Sequence, residues 1–464
     1  MKPTMTRIET VMDSVRMKIA SRAYLPGTRL PSVRAQATAM GLSVSTVVEA
    51  YERLCAEEVI YSRQGSGFYV AGPIAPLALS EIGPRLEREV DPLWISRQSL
   101  ESDASVLKPG CGWLPTHWMY EAGMRRALRT IARADRSLLT DYAPPQGLPA
   151  LRQFLARRMG ATAIEASPEQ ILLTDSGTQA IDLICRFFLQ PGDAVLVDDP
   201  CYFNFHALLR AHRVNAVGVP FTPTGPDLTA FEAALRQHAP RLYITNSGIH
   251  NPTGAALSSV TAHRLLTLAE GTDLVIIEDD IFADFESHPA PRLAALDGLS
   301  RVIHMGSFSK TISASMRCGY IAAPSRWVDG LTDLKIATQF GGGQLASAVL
   351  LAALTDSGYR KHMATIRLRL AQGMDHCLGG LGKIGITPWL APQAGMFVWC
   401  RLPKGADAAK IASACLRLGV VLAPGNAFSQ SQGAGDFLRF NVAQCMEDTD
   451  NRMLAVLAQV LADI

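Results

Sequence analysis

Lys310 lies in the run Ser307-Phe308-Ser309-Lys310-Thr311-Ile312-Ser313-Ala314-Ser315-Met316-Arg317-Cys318-Gly319-Tyr320. The residues before it, Arg301-Val302-Ile303-His304-Met305-Gly306, read as a short buried strand closed by a glycine. A lysine just past such a strand end sits where open α/β sheets put their ligands. The small hydroxyls of Ser307 and Ser309 and the guanidinium of Arg317 suit a phosphate. An amine beside a phosphate site predicts a Schiff base to pyridoxal 5′-phosphate (PLP). A match to S-x-S-K alone is frequent by chance, so the reading depends on the elements upstream.

Those elements alternate between strand-like and helical runs. Ile171-Leu172-Leu173-Thr174 precedes Ser176-Gly177-Thr178-Gln179, which opens a helix. Ala194 to Val197 precedes Asp198-Asp199-Pro200-Cys201-Tyr202, and Arg241 to Thr245 precedes Asn251-Pro252-Thr253-Gly254. Leu274 to Ile277 precedes Glu278-Asp279-Asp280. This alternation predicts a parallel sheet covered by helices, with every polar cluster at a strand's C-terminal end.

In this order the clusters resemble fold-type I PLP enzymes, the aspartate aminotransferase superfamily, from about Leu107 to the C-terminus. The resemblance implies that Lys310 is the Schiff-base lysine and that Ser307, Ser309 and Arg317 form the phosphate cup. Ser176, Gly177, Thr178 and Gln179 would add a helix N-terminus to that cup. Tyr202 would stack on the cofactor ring, Asn251 would donate to its O3′, and Asp279 would bind the pyridine nitrogen. Tyr142, in Asp141-Tyr142-Ala143-Pro144-Pro145-Gln146-Gly147-Leu148, would reach the partner subunit's phosphate. Arg439, in Phe437-Leu438-Arg439-Phe440, would grip a substrate carboxylate. Ile281 stands where the family pattern has a tyrosine that hydrogen-bonds O3′. Loss of that donor is expected to raise the proton affinity of the aldimine and to slow turnover. From about Leu345, a long helical region through Arg369, strands at 395–399 and 437–441 and a helix at 408–419 imply the superfamily's smaller α+β domain.

The first seventy residues have a different pattern. Ile8, Val11, Met12, Val15 and Ile19 recur at helical spacing. Ser32 offers a second helix start, Gly41 its stop, and Ser43 a third start, giving a helix-turn-helix. Val59-Ile60-Tyr61 and Phe68-Tyr69-Val70 then read as a hairpin with the glycine tip Gly65-Ser66-Gly67. Leu25-Pro26-Gly27-Thr28-Arg29-Leu30-Pro31-Ser32-Val33-Arg34, Thr46-Val47, Ala50-Tyr51-Glu52-Arg53-Leu54 and that tip resemble the winged helix of the GntR family of bacterial repressors. The resemblance implies that the third helix enters the major groove of double-stranded DNA and that the wing touches the minor groove. Arg34, Ser43, Ser45, Thr46, Gly65, Ser66 and Gly67 are the contact candidates. Three positions depart from the family: Val44 replaces an arginine, Gln36 a leucine, and Glu58 a glycine.

Charge and composition limit the alternatives. Nine basic residues against six acidic ones leave the segment through Gly72 at +3, while the whole chain of 464 residues carries only +2. Any nucleic-acid contact must therefore be local. The nine cysteines include no CxxC pair and no His/Cys cluster at metal-ligand spacing, so neither disulfides nor a metal is expected. No apolar run reaches membrane length, so a cytoplasmic protein is expected. Four segments follow: a winged helix (1–72), a linker with Pro73, Pro76, Pro84 and Pro92 (73–105), a PLP-binding large domain (106–344) and a small domain (345–464).

A GntR-type winged helix followed by an aminotransferase-like domain is the architecture of the MocR group of bacterial transcription regulators, which this chain resembles over nearly its whole length. The resemblance implies a homodimeric, PLP-dependent transcription regulator. It would sense PLP or an amino-acid-like or amine effector through aldimine formation at Lys310. The alternative is a PLP-dependent aminotransferase with a vestigial or secondary DNA-binding domain, and a third reading is a regulator that transaminates slowly.

Overall fold

The computed structural model describes residues 6–21, 23–63, 65–72, 96, 99–100, 105–448 and 451–463. Most of the predicted linker lies outside the described residues.

The N-terminal unit packs three helices against a hairpin. Helix α1 (Arg7–Ala20) begins in a capping box between Thr6 and Glu9. Helix α2 (Val33–Met40) is capped by Ser32 and stops at Gly41, whose φ of 62° closes the left-handed C-cap. Helix α3 (Val44–Ala56) starts at Ser43, whose hydroxyl accepts from Thr46 N. Strands β1 (Ile60–Arg63) and β2 (Gly67–Val70) pair antiparallel from Ile60↔Val70 to Arg63↔Gly67. Val11, Val15, Val47, Tyr51, Leu54, Ile60 and Val70 close one small core. The helix-turn-helix and wing therefore stand where the sequence places them. Two family departures acquire a structural description. Gln36 is buried and donates to Met40 Sδ at 3.1 Å. Glu58 holds a φ of 58°, a conformation that costs a non-glycine residue about 1–2 kcal/mol.

The large unit is built on a sheet ordered β3-β10-β9-β8-β7-β4-β5-β6. In chain order these are β3 (Ile171–Thr174), β4 (Ala194–Asp199), β5 (Asn215–Thr222), β6 (Gly225–Pro226), β7 (Leu242–Thr245), β8 (Val275–Asp279), β9 (Val302–Ser307) and β10 (Gly319–Ala322). Strands β4, β7, β8 and β9 are parallel neighbours, and their near-complete burial explains their mostly apolar runs, which His304 interrupts in β9. The sheet is mixed, which corrects the parallel expectation: β10 runs antiparallel to both β9 and β3. Only 308–318 separate β9 from β10, too little for the crossover that a parallel return needs.

Helix α4 (Gly177–Phe188) follows β3, and helix α5 (Ser325–Gln339) follows β10. The long C-terminal helical region predicted from 345 to 369 is two helices, α6 (Gln344–Leu354) and α7 (Tyr359–Lys383). Asp356, in the break, accepts from Gly358 N at 2.9 Å and pairs with Arg126, which fixes the turn. A second, antiparallel sheet follows, ordered β11-β12-β14-β13. Its strands are β11 (Thr387–Pro388), β12 (Phe397–Arg401), β13 (Ala423–Pro424) and β14 (Phe437–Asn441). Among the described residues no single helix is long and apolar enough to cross a membrane, and no His/Cys/Asp/Glu group could hold a metal.

Candidate functional site

The β9–β10 connection brings an amine and an anion cup together. Ser307 ends β9, Lys310 lies in the turn, and Arg317 precedes β10. Ser307 Oγ lies 3.1 Å from Ser309 Oγ and donates to Cys318 O at 3.2 Å; Arg317 Nη1 reaches Ser309 Oγ at 3.4 Å. Because β10 returns antiparallel, Gly319 lies against the start of α4. A Cβ there would come within 2.7 Å of Ser176 C and 2.9 Å of Gly177 N. The Ser176 hydroxyl caps α4 by accepting from Gln179 N at 3.0 Å, and the first-turn amides lack acceptors within the helix. Gly177 leaves a cradle: a Cβ would stand 3.1 Å from Met305 Cε and 3.6 Å from Ser307 Cβ. Gln179 Oε1 accepts from Asp175 N at 2.6 Å, so it braces the turn.

Asp279 is the last residue of β8 and is buried. Its carboxylate accepts from Ile281 N at 3.1 Å, and no cation contacts it among the described residues. Burial pushes its pKa up to about 6. Such a carboxylate favours a cationic neighbour. Beneath it, Arg292 Nε donates to Asp280 at 2.8 Å and Nη2 to Glu286 at 2.6 Å, while Glu278 accepts from Leu293 N and Ala294 N. This ionic layer holds the strand end.

Lys310 Nζ donates to Gly112 O at 2.7 Å, and burial lowers its pKa to about 8. A minor fraction of free amine is therefore available at neutral pH, far more than an ordinary lysine offers. Arg439, on β14, is 1% exposed. Its Nη1 donates to Asn251 Oδ1 at 2.9 Å and its Nη2 to Gly110 O at 2.7 Å, while its Nε is buried without a partner. The guanidinium lies 4.3 Å from the Phe397 ring and 4.7 Å from that of Phe428. Burial lowers even this arginine's pKa to about 10. Among the described residues this cation is held only by neutral groups and its Nε–H is unused, which suits an anion.

Tyr202 follows β4, with its ring 5.0 Å from Phe203 and 5.4 Å from Phe205, and burial raises its phenol pKa. Two predicted residues stand apart. Thr178 is exposed on α4, and Tyr142 is 79% exposed, packed edge-on against Phe340 at 5.0 Å. Sequence reasoning missed the carbonyls of Gly110 and Gly112, for which the string Gly110-Cys111-Gly112 was the available signal of a close backbone approach. It also missed Asn246, which donates to Asp279 O at 3.0 Å, and Asn441, which holds the 110–113 backbone.

On the N-terminal unit the candidates lie in solvent. Arg34, Ser43, Ser45, Gly65 and Gly67 are exposed. Ser43 Oγ contacts Ser45 Oγ at 2.9 Å and Thr46 Oγ1 at 2.7 Å, so the hydroxyls cluster at the start of α3. Gly65 and Gly67 have φ of 70° and 108°, and Ser66 Oγ lies 2.6 Å from Tyr69 Oη. Arg63 stacks over Tyr69 at 4.8 Å and adds a wing cation.

Residues 116–457 match the family described as aminotransferase class I and II, and residues 7–70 match the bacterial regulatory proteins of the gntR family. Among curated relatives, the uncharacterized HTH-type transcriptional regulator YdcR of Escherichia coli (strain K12) is 27% identical over 99% of this chain and 100% of its own. The HTH-type transcriptional regulator NorG of Staphylococcus aureus is 28% identical over 80% of this chain and 86% of its own. Among solved structures, LysN, the α-aminoadipate aminotransferase of Thermus thermophilus complexed with N-(5′-phosphopyridoxyl)-L-leucine, aligns with a TM-score of 0.72 at 26% identity. It covers 80% of this chain and 96% of its own. The kynurenine aminotransferase of Pyrococcus horikoshii, in complex with PMP, aligns with a TM-score of 0.73 at 25% identity over 82% and 96%.

Proposed function

The chain belongs to the aminotransferase class I and II family and carries a gntR-family unit at its N-terminus; from that premise we propose that it is a PLP-dependent, ligand-responsive transcription regulator. The observation that carries the reading is the joint presence, in one polypeptide, of a winged helix and a half-buried amine beside an anion cradle. This is the MocR-type arrangement.

The residues fit the cofactor. The Gly177 cradle, the Ser307–Ser309–Arg317 cup and the α4 N-terminus suit its phosphate. Asp279, buried and touching no cation among the described residues, suits a protonated ring nitrogen, and Tyr202 suits the ring face. When bound, PLP supplies an aldehyde for amines and a ring that withdraws electrons. Lys310 presents the amine, and its burial keeps part of it unprotonated. Arg439 offers Nε and Nη2 to a carboxylate, so the ligand class is an amino acid or a related amine acid. Asn251 orients that guanidinium by accepting from Nη1. Ile281 presents no hydroxyl to the phenolate, which supports binding with slow turnover. Exposed Tyr142, packed edge-on against Phe340, supports a homodimer in which each tyrosine completes the partner's phosphate site. The segment 1–72 binds operator DNA through α3 and the wing, and the protein works in the cytoplasm.

The assembled Lys310, Asp279 and Arg439 also favour a second reading, a working aminotransferase. DNA binding to the chain's own upstream region, with and without PLP and an amino-acid panel, decides between them when run beside steady-state transamination. Ligand-dependent DNA affinity with slow turnover is expected. Turnover of about 1–1,000 per second with ligand-indifferent DNA binding would overturn the regulator.

A further inference from the structure

Four consecutive carbonyl oxygens face the site, and each accepts from one of its side chains. Gly110 O accepts from Arg439 Nη2 at 2.7 Å, and Cys111 O from Asn441 Nδ2 at 3.1 Å. Gly112 O accepts from Lys310 Nζ at 2.7 Å, and Trp113 O from Asn441 Nδ2 at 2.8 Å and Gln444 Nε2 at 3.1 Å. The other side of this stretch is tied to the small domain. Leu107 N donates to Gly419 O at 3.0 Å, Gly110 N to Val421 O at 2.9 Å, and Asn441 N to Pro109 O at 2.7 Å. In sequence, residues 73–105 connect this stretch to the N-terminal unit.

Resting on the regulator reading above, we propose that the segment Gly110–Trp113 couples ligand occupancy to the chain that carries the DNA-binding unit. Its carbonyls accept from both cations of the site, and a ligand competes for those cations. When an aldehyde captures the Lys310 amine, nitrogen bonds to the carbonyl carbon and the carbonyl oxygen leaves as water. The nitrogen then retains at most one proton and no longer serves Gly112 O as an ammonium donor. A carboxylate that binds Arg439 bidentately uses two N–H groups on one edge. Nη1 is engaged by Asn251 and Nε lacks a partner, so the edge is Nε with Nη2, where the carboxylate shares the Nη2 charge with Gly110 O and weakens that bond. A carbonyl deprived of its donor away from water does not stay in place without cost. The seat itself is tight, since a Cβ on Gly110 would lie 2.5 Å from Ala423 N. The segment thus has one arrangement favoured by the empty site and another favoured by the filled one, as coupling requires.

Hydrogen exchange on the full-length protein, with PLP alone as the probe, tests this. Once absorbance reports bound PLP, the amides of Leu107, Gly110 and Cys111 should exchange about tenfold faster, while those of β8 stay protected. Lys310→Ala should show the fast exchange without PLP. Lys310→Arg keeps a donor but cannot condense with the aldehyde, and should stay slow with or without PLP. Asn441→Ala, which touches neither cation, should also exchange fast without PLP; β8 protection in each variant separates local release from unfolding. Bound PLP with unchanged exchange at 107–113 would overturn the coupling and leave the regulator reading intact. No PLP absorbance at any concentration would overturn that reading, and the coupling with it.

Discussion

Arg34, Ser43, Ser45 and the Gly65 tip stand in water, whereas Lys310, Asp279 and Arg439 are largely removed from it. The two sets have correspondingly different partners. The exposed hydroxyls hydrogen-bond one another at a helix start. The buried groups are tied to backbone carbonyls and amides, and burial displaces their ionisation. A surface that meets a long polyanion must stay hydrated and gains from released counterions. A site that grips a small anion gains from charge held ready in a poorly screened pocket. Substitutions on the two surfaces should therefore differ in size and in their response to salt.

The largest expected effect is at Lys310. Lys310→Ala should abolish borohydride-fixed cofactor, and peptide mass mapping of the wild type should find the adduct on Lys310 alone. Fixed mass elsewhere would break the contrast at its buried end. Next comes Asp279→Asn, which removes a buried charge partner. It should weaken PLP binding by about 3–5 kcal/mol, read from absorbance titrations.

On the wet surface, Arg34→Ala should lower DNA affinity only modestly, and should reduce the slope of log K against log salt by about one. A large, salt-independent loss would mean that Arg34 is structural. A pH test sharpens the buried side again. The Lys310 pKa is lowered from 10.5 to about 8, so its contribution to stability is present above pH 10.5 and is lost as pH falls through 8. Relative to Lys310→Met, the cofactor-free protein should gain melting temperature as pH rises from 8 to 10.5. The smallest effect is at Glu58, where φ is 58°. Glu58→Gly should stabilise the N-terminal unit by about 1 kcal/mol, measured by thermal melting, with DNA affinity unchanged.

Elements whose signal is local were legible in the sequence. Ser32, Gly41 and Ser43 mark helix ends by capping chemistry, and the structure places caps at all three. The strands ending at Asp279 and Ser307 were legible because burial on both faces leaves a mostly apolar run, interrupted in the second by the buried His304. The direction of β10 was not, since four residues have the same pattern either way and only the short connection forbids a parallel return. The break at Thr355–Gly358 was hidden because Asp356 is held by Arg126, far away in sequence. The roles of Gly110, Gly112 and Asn441 were hidden for a related reason: a carbonyl has no sequence signature, and its donors lie 198 to 330 residues away.

The antiparallel return of β10 has a kinetic consequence. Ser307, Ser309, Lys310 and Arg317 all come from one hairpin of the large sheet, while Arg439 comes from the small one. Anchoring and sampling therefore depend on different parts of the protein. On the proposed reading, a displacement of the small sheet would change how long an amino acid dwells on Arg439 and leave the hairpin's grip unaltered. On the same proposed reading, the cofactor would stay through many visits of a weakly held metabolite, and the protein would follow rising and falling concentrations without reloading between readings.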